Sequence, residues 1–319
     1  MTKSTEEYLN EIKESLEKHG HSLEMRIAKV FQENGFSVSQ FEYFVDQDTN
    51  LVRQIDVVAS LSRIIAKQLV SINLVIECKY TKKKPWVILQ TGQKFNKYAF
   101  FEQQLQGKIP ANWKAIENPN GQFVGHLVLA LMQSGDIDKF SVSSAGYTIL
   151  ESLKKSASNQ KDRAYEAILQ SGKAVEHIES RLHENNISAL QELEYGTIDI
   201  GVGGTEEPHA NLQLHFSITM PVIIIHGRLF EGRLNQNNQI DVKEIDYGIV
   251  LNAPRRYKAK RISKVPLSPV YVVTEAKLPI FIQEIKEKAE IILSQETIII
   301  DIIEEQTAKL PSRKDDFDF

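Results

Sequence analysis

Three carboxylates and a lysine in three short stretches are of the types that could hold a divalent cation and act beside it. The run Asn73-Leu-Val-Ile-Glu-Cys-Lys79 is an apolar strand that ends in a carboxylate and an amine two positions apart. Alternation along a strand puts residues i and i+2 on one face, so Glu77 and Lys79 point together and Cys78 points away. Asp56 lies in an equally apolar run, Leu51-Val-Arg-Gln-Ile-Asp-Val-Val58, and Glu24 in a helical stretch ahead of both. Charged side chains are rarely buried unless paired or bound to metal. Acids and a lysine at the ends of apolar strands therefore mark a candidate site.

Two carboxylates on neighbouring strands repel each other when empty, which raises a proton affinity or recruits a cation. Magnesium is typically held by one or two carboxylates plus substrate phosphate, with waters left in place. Such a cation can make water nucleophilic, offset charge at phosphorus and neutralise a leaving oxygen, which are the three needs of phosphodiester hydrolysis. A lysine beside Glu77 would orient the water and offset transition-state charge. Glu24 would hold a second cation or a metal-bound water. Taken alone, Glu24 reads as a first-turn acid behind an N-cap at Ser22. Glu77 and Lys79 alone read as an edge ion pair of little energetic weight. His19, His21, His209, His215 and His226 lack an acid or cysteine partner at metal-site spacing and read as surface or packing residues.

The elements that must position these groups follow from periodicity. Residues 4–18 are expected as a helix with Tyr8, Leu9, Ile12 and Leu16 as its stripe, ended by His19-Gly20. A second helix carries Leu23, Ile27, Val30 and Phe31 and ends at Asn34-Gly35. Strands are expected over 36–45, 51–60 and 71–80. Residues 46–50 form a turn between the first two, and 61–70 a longer connection between the others. Pro85 opens an expected helix to about residue 106, with Trp86, Leu89, Phe95, Tyr98, Phe101 and Leu105 on its packed face. The residues from Asn118 to Gly121 read as a turn and 123–131 as a buried strand. A helix with Ala164, Ile168, Ser171, Val175, Ile178 and Leu182 along one seam follows. Strands are then expected over 212–219, 222–229, 239–245, 248–251 and 270–273, a helix over 280–293, and a strand or helical turn over 298–303. This is an α/β chain with a mixed sheet: a core at 1–140, a linker or surface loop at 141–160, an α+β extension or second domain at 161–305, and an acidic tail at 306–319.

A chain of 319 residues, 42% hydrophobic and 25% charged, can bury its own core. The net charge of −4 does not by itself favour nucleic acid. The single cysteine excludes an internal disulfide and a cysteine-rich zinc site. No apolar run reaches the ~20 residues of a membrane span, so a cytoplasmic location without a membrane partner is expected. Basic residues cluster at Lys79, Lys82, Lys83 and Lys84, and again at Arg255, Arg256, Lys258, Lys260, Arg261 and Lys264. Either group suits a phosphate backbone. The end, Asp315-Asp-Phe-Asp-Phe319, alternates acid and phenylalanine, a pattern that suits docking on a protein partner as well as a free tail.

Glu24, Asp56 in Arg53-Gln-Ile-Asp56, and Glu77-Cys-Lys79 together resemble the signature of the restriction-endonuclease-like PD-(D/E)xK nuclease superfamily, in particular its Mrr-like branch. Ile55 rather than proline precedes Asp56. The resemblance implies a core of helix, three strands, helix and strand. It makes Asp56, Glu77 and Lys79 catalytic, Asp56 and Glu77 ligands of Mg²⁺ (with Mn²⁺ substituting), and Cys78 a ligand through its carbonyl. The glutamine often found on the following helix would be Gln90 or Gln93, and Arg53, Gln54, Lys82, Lys83 and Lys84, by their charge or polarity beside the strand ends, are expected with it against nucleic acid. The implied activity is a DNA endonuclease of restriction, phage-defence or repair type, with RNA and a homodimer left open. A catalytically silent nuclease-like module that binds nucleic acid or protein in a defence complex is the alternative.

Overall fold

The strands around the candidate site are longer than their hydrophobic pattern indicates. The computed structural model describes residues 3–18, 20–46, 49–81, 84–90, 119–140, 145–151, 162–194, 214–252 and 268–308. In chain order the strands are β1 (Ser37–Asp46), β2 (Leu51–Ile65), β3 (Gln68–Tyr80), β4 (Trp86–Gln90), β5 (Gly146–Glu151), β6 (His215–His226), β7 (Leu229–Leu234), β8 (Ile240–Ile245), β9 (Tyr247–Asn252) and β10 (Ser268–Thr274). The described helices are α1 (Thr5–Lys18), α2 (His21–Glu33), α3 (Pro119–Ser134), α4 (Arg163–Glu194), α5 (Leu278–Leu293) and α6 (Glu296–Ala308). All ten strands form one mixed sheet in the order β1-β2-β3-β6-β10-β9-β5-β4-β7-β8.

β1, β2 and β3 are an antiparallel meander. Residues 61–70, expected as a long connection, instead complete the β2–β3 hairpin. Ile65 pairs with Gln68, and Ala66 and Lys67 between them both have positive φ, 47° and 65°. Two successive positive φ values are what a type I′ turn requires, and Asn-Gly is its usual signal. Ala-Lys carries no such signal. β6 runs parallel to β3 from Leu69↔His215 to Tyr80↔His226. The same parallel pair resumes as β4 beside β7, from Trp86↔Leu229.

Two expected elements have the opposite type. Residues 86–90 are a strand, not the start of a helix. Trp86 and Ile88 are fully buried while Val87 and Leu89 are only partly so, which is the two-residue period of a sheet. The remainder of that expected helix, including Gln93, lies outside the described residues. Residues 123–131 lie within α3 rather than forming a strand, and the turn expected up to Gly121 is replaced by its first turn, which begins at Pro119. Phe123, Val124, Leu127, Val128 and Leu131 are buried and Leu129 is exposed, a helical repeat that an almost wholly apolar run conceals. β5 occupies part of the expected linker at 141–160, and 298–303 belong to α6. Lys82, Lys83, the basic cluster at 255–264 and the residues from 309 onward lie outside the described residues.

Helices cover both faces of the sheet. On one, Leu23, Ile27 and Phe31 of α2 join α3, α5 and α6 over Val57, Leu74, Ile76, Phe216 and Ile224. On the other, α4 is the one described helix, and it spans the sheet. Its Ala164, Ala167 and Ile168 meet Trp86, Ile149, Ile223 and Val272, and its Val175 and Ile178 meet Phe44, Ile55 and Val75. The seam expected along α4 is therefore a core face and not a free coiled coil. The stripe of α1, by contrast, is exposed at Tyr8, Leu9, Ile12 and Leu16.

α4 is also tied to the β1–β2 turn by charge. The Asp46 carboxylate, 2% exposed, accepts from Lys173 Nζ at 2.9 and 2.8 Å. Arg53 Nε lies 3.7 Å from its second oxygen. Removing one partner of a buried pair leaves a desolvated charge. Lys173→Met is expected to destabilise the fold by ~3 kcal/mol, measured by denaturant unfolding, with Lys173→Arg losing much less.

Candidate functional site

The β2–β3 ladder stops at Val57↔Ile76. Beyond that pair β2 stays bonded to β1 as far as Leu51↔Asp46, and β3 stays bonded to β6 as far as Tyr80↔His226. The two strands therefore part, and the candidate residues stand at the fork. Asp56 bridges it: its Oδ2 accepts the Cys78 backbone N–H at 2.7 Å. In an extended strand a residue's N–H and C=O lie on the same edge, so the Cys78 carbonyl faces the fork as well. Next along β3, Lys79 Nζ donates to Glu77 Oε1 in a short ion pair.

Glu24 comes from α2. That helix begins after Gly20 in the left-handed conformation, φ 86°, with no side-chain cap. The expected cap, Ser22, donates instead to Glu17. Leu23, Ile27 and Phe31 bury one stripe of α2 in the core, which carries the adjacent Glu24 inward with them. Its Oε2 lies 3.3 Å from His21 Nδ1. His21, expected as a surface residue, is thus Glu24's partner. Its position three residues earlier on the same helix face was the available signal.

Glu24 is 7% exposed and Glu77 8% exposed, too buried for the surface pair that Glu77 and Lys79 would otherwise represent. Burial pushes the Glu77 carboxyl up to about 7, with Asp56 and Glu24 adding to the shift and Lys79 opposing it. Burial likewise raises Asp56 against the pull of Lys79 and the Cys78 N–H. It raises Glu24 too, assisted by Asp56 and opposed by His21 and Lys79. Burial disfavours the Lys79 ammonium, but Glu77 and Asp56 more than compensate and its pKa is raised. The Cys78 thiol is pushed well up, first by burial and then by the acids, so sulfur is a poor donor there and the carbonyl is the better one. Three carboxylates thus act on one another around a single ammonium. Desolvated acids in excess of their counter-charge are the donor set that a divalent cation satisfies. Among the described residues, no group of three or more His, Cys, Asp or Glu side chains is placed to hold a metal ion by itself. A cation held by Asp56 and Glu77 would therefore draw on the Cys78 carbonyl, water or substrate oxygen to complete its shell.

Protein-family models, characterised proteins and solved structures were all compared with this chain. None matches it.

The expected nucleic-acid contacts are only partly gathered here. Arg53 is committed to Asp46, and Gln54 is half-buried and paired with Tyr43 across β1. Lys84 Nζ lies 3.7 Å from the buried Glu151 carboxylate. Gln90, expected on a helix, is on β4, and its amide donates to Glu231 of β7 at 2.8 Å. None of these four has a partner in the fork among the bonds described. No described helix is long and apolar enough to cross a membrane.

Proposed function

We propose that the chain is a metal-dependent nuclease that hydrolyses DNA phosphodiester bonds at the β2–β3 fork. The observation that carries this reading is that the buried Glu77 and Glu24 and the half-buried Asp56 gather with one lysine at the point where two strands part. A structural ion pair needs one acid for one base. Buried pairs are also poor sources of stability compared with apolar packing, so three acids in this place are better explained by a ligand of opposite charge.

The order of elements supports a restriction-endonuclease-like core, with later members than periodicity indicated. α2, β1, β2 and β3 are followed, after intervening elements, by α4 across the far face and by β6 parallel to β3. Asp56 and Glu77 would hold Mg²⁺ or Mn²⁺ together with the Cys78 carbonyl, and Glu24 would accept a hydrogen bond from a water beside them. The ion, when bound, supplies a water of lowered pKa and Lewis-acid stabilisation of the phosphate. Lys79, paired with Glu77 at the end of β3, would orient the attacking water and offset charge on the phosphate oxygens. Asp56 keeps the fork open at a fixed width by holding the Cys78 N–H. A restriction, phage-defence or repair setting rests on the family resemblance.

The test separates binding from cutting. Purified protein is expected to bind DNA in Ca²⁺ without cutting it, and to nick supercoiled plasmid in Mg²⁺ or Mn²⁺ but not in EDTA. Binding in Ca²⁺ with no cleavage in either active metal would favour the silent binding module instead.

A further inference from the structure

The residue after Lys79 is not used by the chemistry above. Tyr80 ends β3, and its ring lies against the His226 ring with centroids 4.7 Å apart and planes 13° from parallel. It keeps 38% of its surface exposed, enough for a further planar group to reach it. The pair is fixed from every side. His226 Nδ1 is hydrogen-bonded to Glu275, and Glu275 accepts from Arg26 Nε at 2.8 Å. The Tyr80 carbonyl accepts from Arg163 at 3.4 Å, and the Thr81 N–H donates to the His226 carbonyl at 3.0 Å. The chain beyond His226 packs so closely that a Cβ on Gly227 would stand 2.0 Å from Thr81 Oγ1. Arg26 is on α2 two residues after Glu24, so one helix buttresses both the acids and the aromatic pair.

We propose that Tyr80, backed by His226, is a stacking platform for an unpaired nucleobase next to the scissile phosphate, so that the preferred substrate is single-stranded or locally unpaired nucleic acid. This rests on the nuclease reading, because it is Lys79 and the acids that bring a phosphate to the end of β3. A base inside a duplex already has both faces covered by its neighbours, whereas an unstacked base offers a face to an aromatic ring. Alternation along β3 turns Tyr80 away from Lys79. A strand crossing the end of β3 can therefore set its phosphate on one side and its base on the other. A ring already held by a second ring, itself hydrogen-bonded, loses little freedom when a base arrives.

Binding in Ca²⁺ by the full-length protein tests this, with fluorescent oligodeoxythymidine, a base-free sugar-phosphate strand of equal length, and a blunt duplex as probes. Tyr80→Ala is expected to weaken oligodeoxythymidine binding about tenfold, the loss typical of one stacked base, and to leave the base-free strand and duplex unchanged. Tyr80→Phe and Tyr80→Trp, which keep an aromatic face and guard against a folding defect, are expected to bind like the wild type. Equal oligodeoxythymidine binding by wild type and Tyr80→Ala, or an equal loss on all three probes, would overturn the platform. Cleavage in Mg²⁺ is read separately. A protein that shows the Tyr80 effect but never cuts would sink the nuclease reading and leave the platform standing. One that cuts, but shows no Tyr80 effect, would do the reverse.

Discussion

Asp56→Asn is expected to raise the metal-free melting temperature while abolishing the response to Mg²⁺. The asparagine Oδ1 can still accept the Cys78 N–H that Asp56 accepts at 2.7 Å, so the fork keeps its geometry. What is removed is a desolvated carboxylate whose ionised form burial disfavours. The gain should be on the order of 1 kcal/mol, the size commonly found when a functional compromise is relieved. In the wild type, a ligand that binds only the folded form stabilises it by about 2.7 kcal/mol at roughly a hundred times its dissociation constant. Thermal unfolding with and without Mg²⁺ therefore gives opposite orders for the two proteins: the variant higher without metal, the wild type higher with it. A variant that melts lower without metal and still responds to Mg²⁺ would show Asp56 to be a structural residue.

The sign of the accompanying pH dependence follows from Glu77. Its carboxyl is pushed from an ordinary 4.5 to about 7 in the folded protein, chiefly by burial. The folded form then holds more protons than the unfolded chain between those values. Its contribution to stability is full below 4.5 and is lost as pH rises through about 7. Mg²⁺, which binds the ionised form, should reverse part of that loss above pH 7. A metal-free stability flat across this window would place Glu77 in contact with water.

Lys79→Gln is expected to lower the cleavage rate by ~10²–10³, the usual cost of removing one group that stabilises transition-state charge, while leaving the Mg²⁺-induced rise in melting temperature intact. Glu77 survives the loss of its partner because its raised pKa lets it take up a proton in the metal-free protein. Lys79→Arg is not a rescue, since the planar guanidinium does not replace a compact ammonium paired with Glu77 at close range. The two variants therefore separate holding the metal from using it: Asp56→Asn loses the thermal response, and Lys79→Gln keeps it. Loss of both properties in Lys79→Gln would make the lysine a structural counter-ion.

The site was legible where chemistry and periodicity coincided. Glu77 and Lys79 stand at i and i+2 after an apolar run, and Asp56 sits in a similar run, so strand ends carrying charge were evident before any fold. That β2 and β3 part at Val57↔Ile76, and that Asp56 spans the gap to Cys78, depends on how two other strands pull them away. No local pattern encodes that. Where local signals failed, the reasons differ. The Ala66-Lys67 turn lacks its usual residues. α3 is so apolar that its helical repeat shows only once Leu129 is seen exposed and Leu127 buried. Pro85 suggested a helix start, but Trp86 and Ile88 pack as a strand against α4, an override of local preference by tertiary contact. His21, Asp46 with Lys173, and Tyr80 with His226 each gain their meaning from a partner, which for the last two pairs is more than a hundred residues distant in sequence.

The most direct measurement is the initial rate of supercoiled-plasmid nicking in Mg²⁺ by wild-type protein and by Asp56→Asn, purified in parallel and each shown to unfold cooperatively above the assay temperature. The fork described here predicts nicking by the wild type that EDTA stops, and none above background by the variant. Equal nicking by the two proteins would show that the activity belongs to another site or another protein, and would contradict the assignment of Asp56, Glu77 and Lys79.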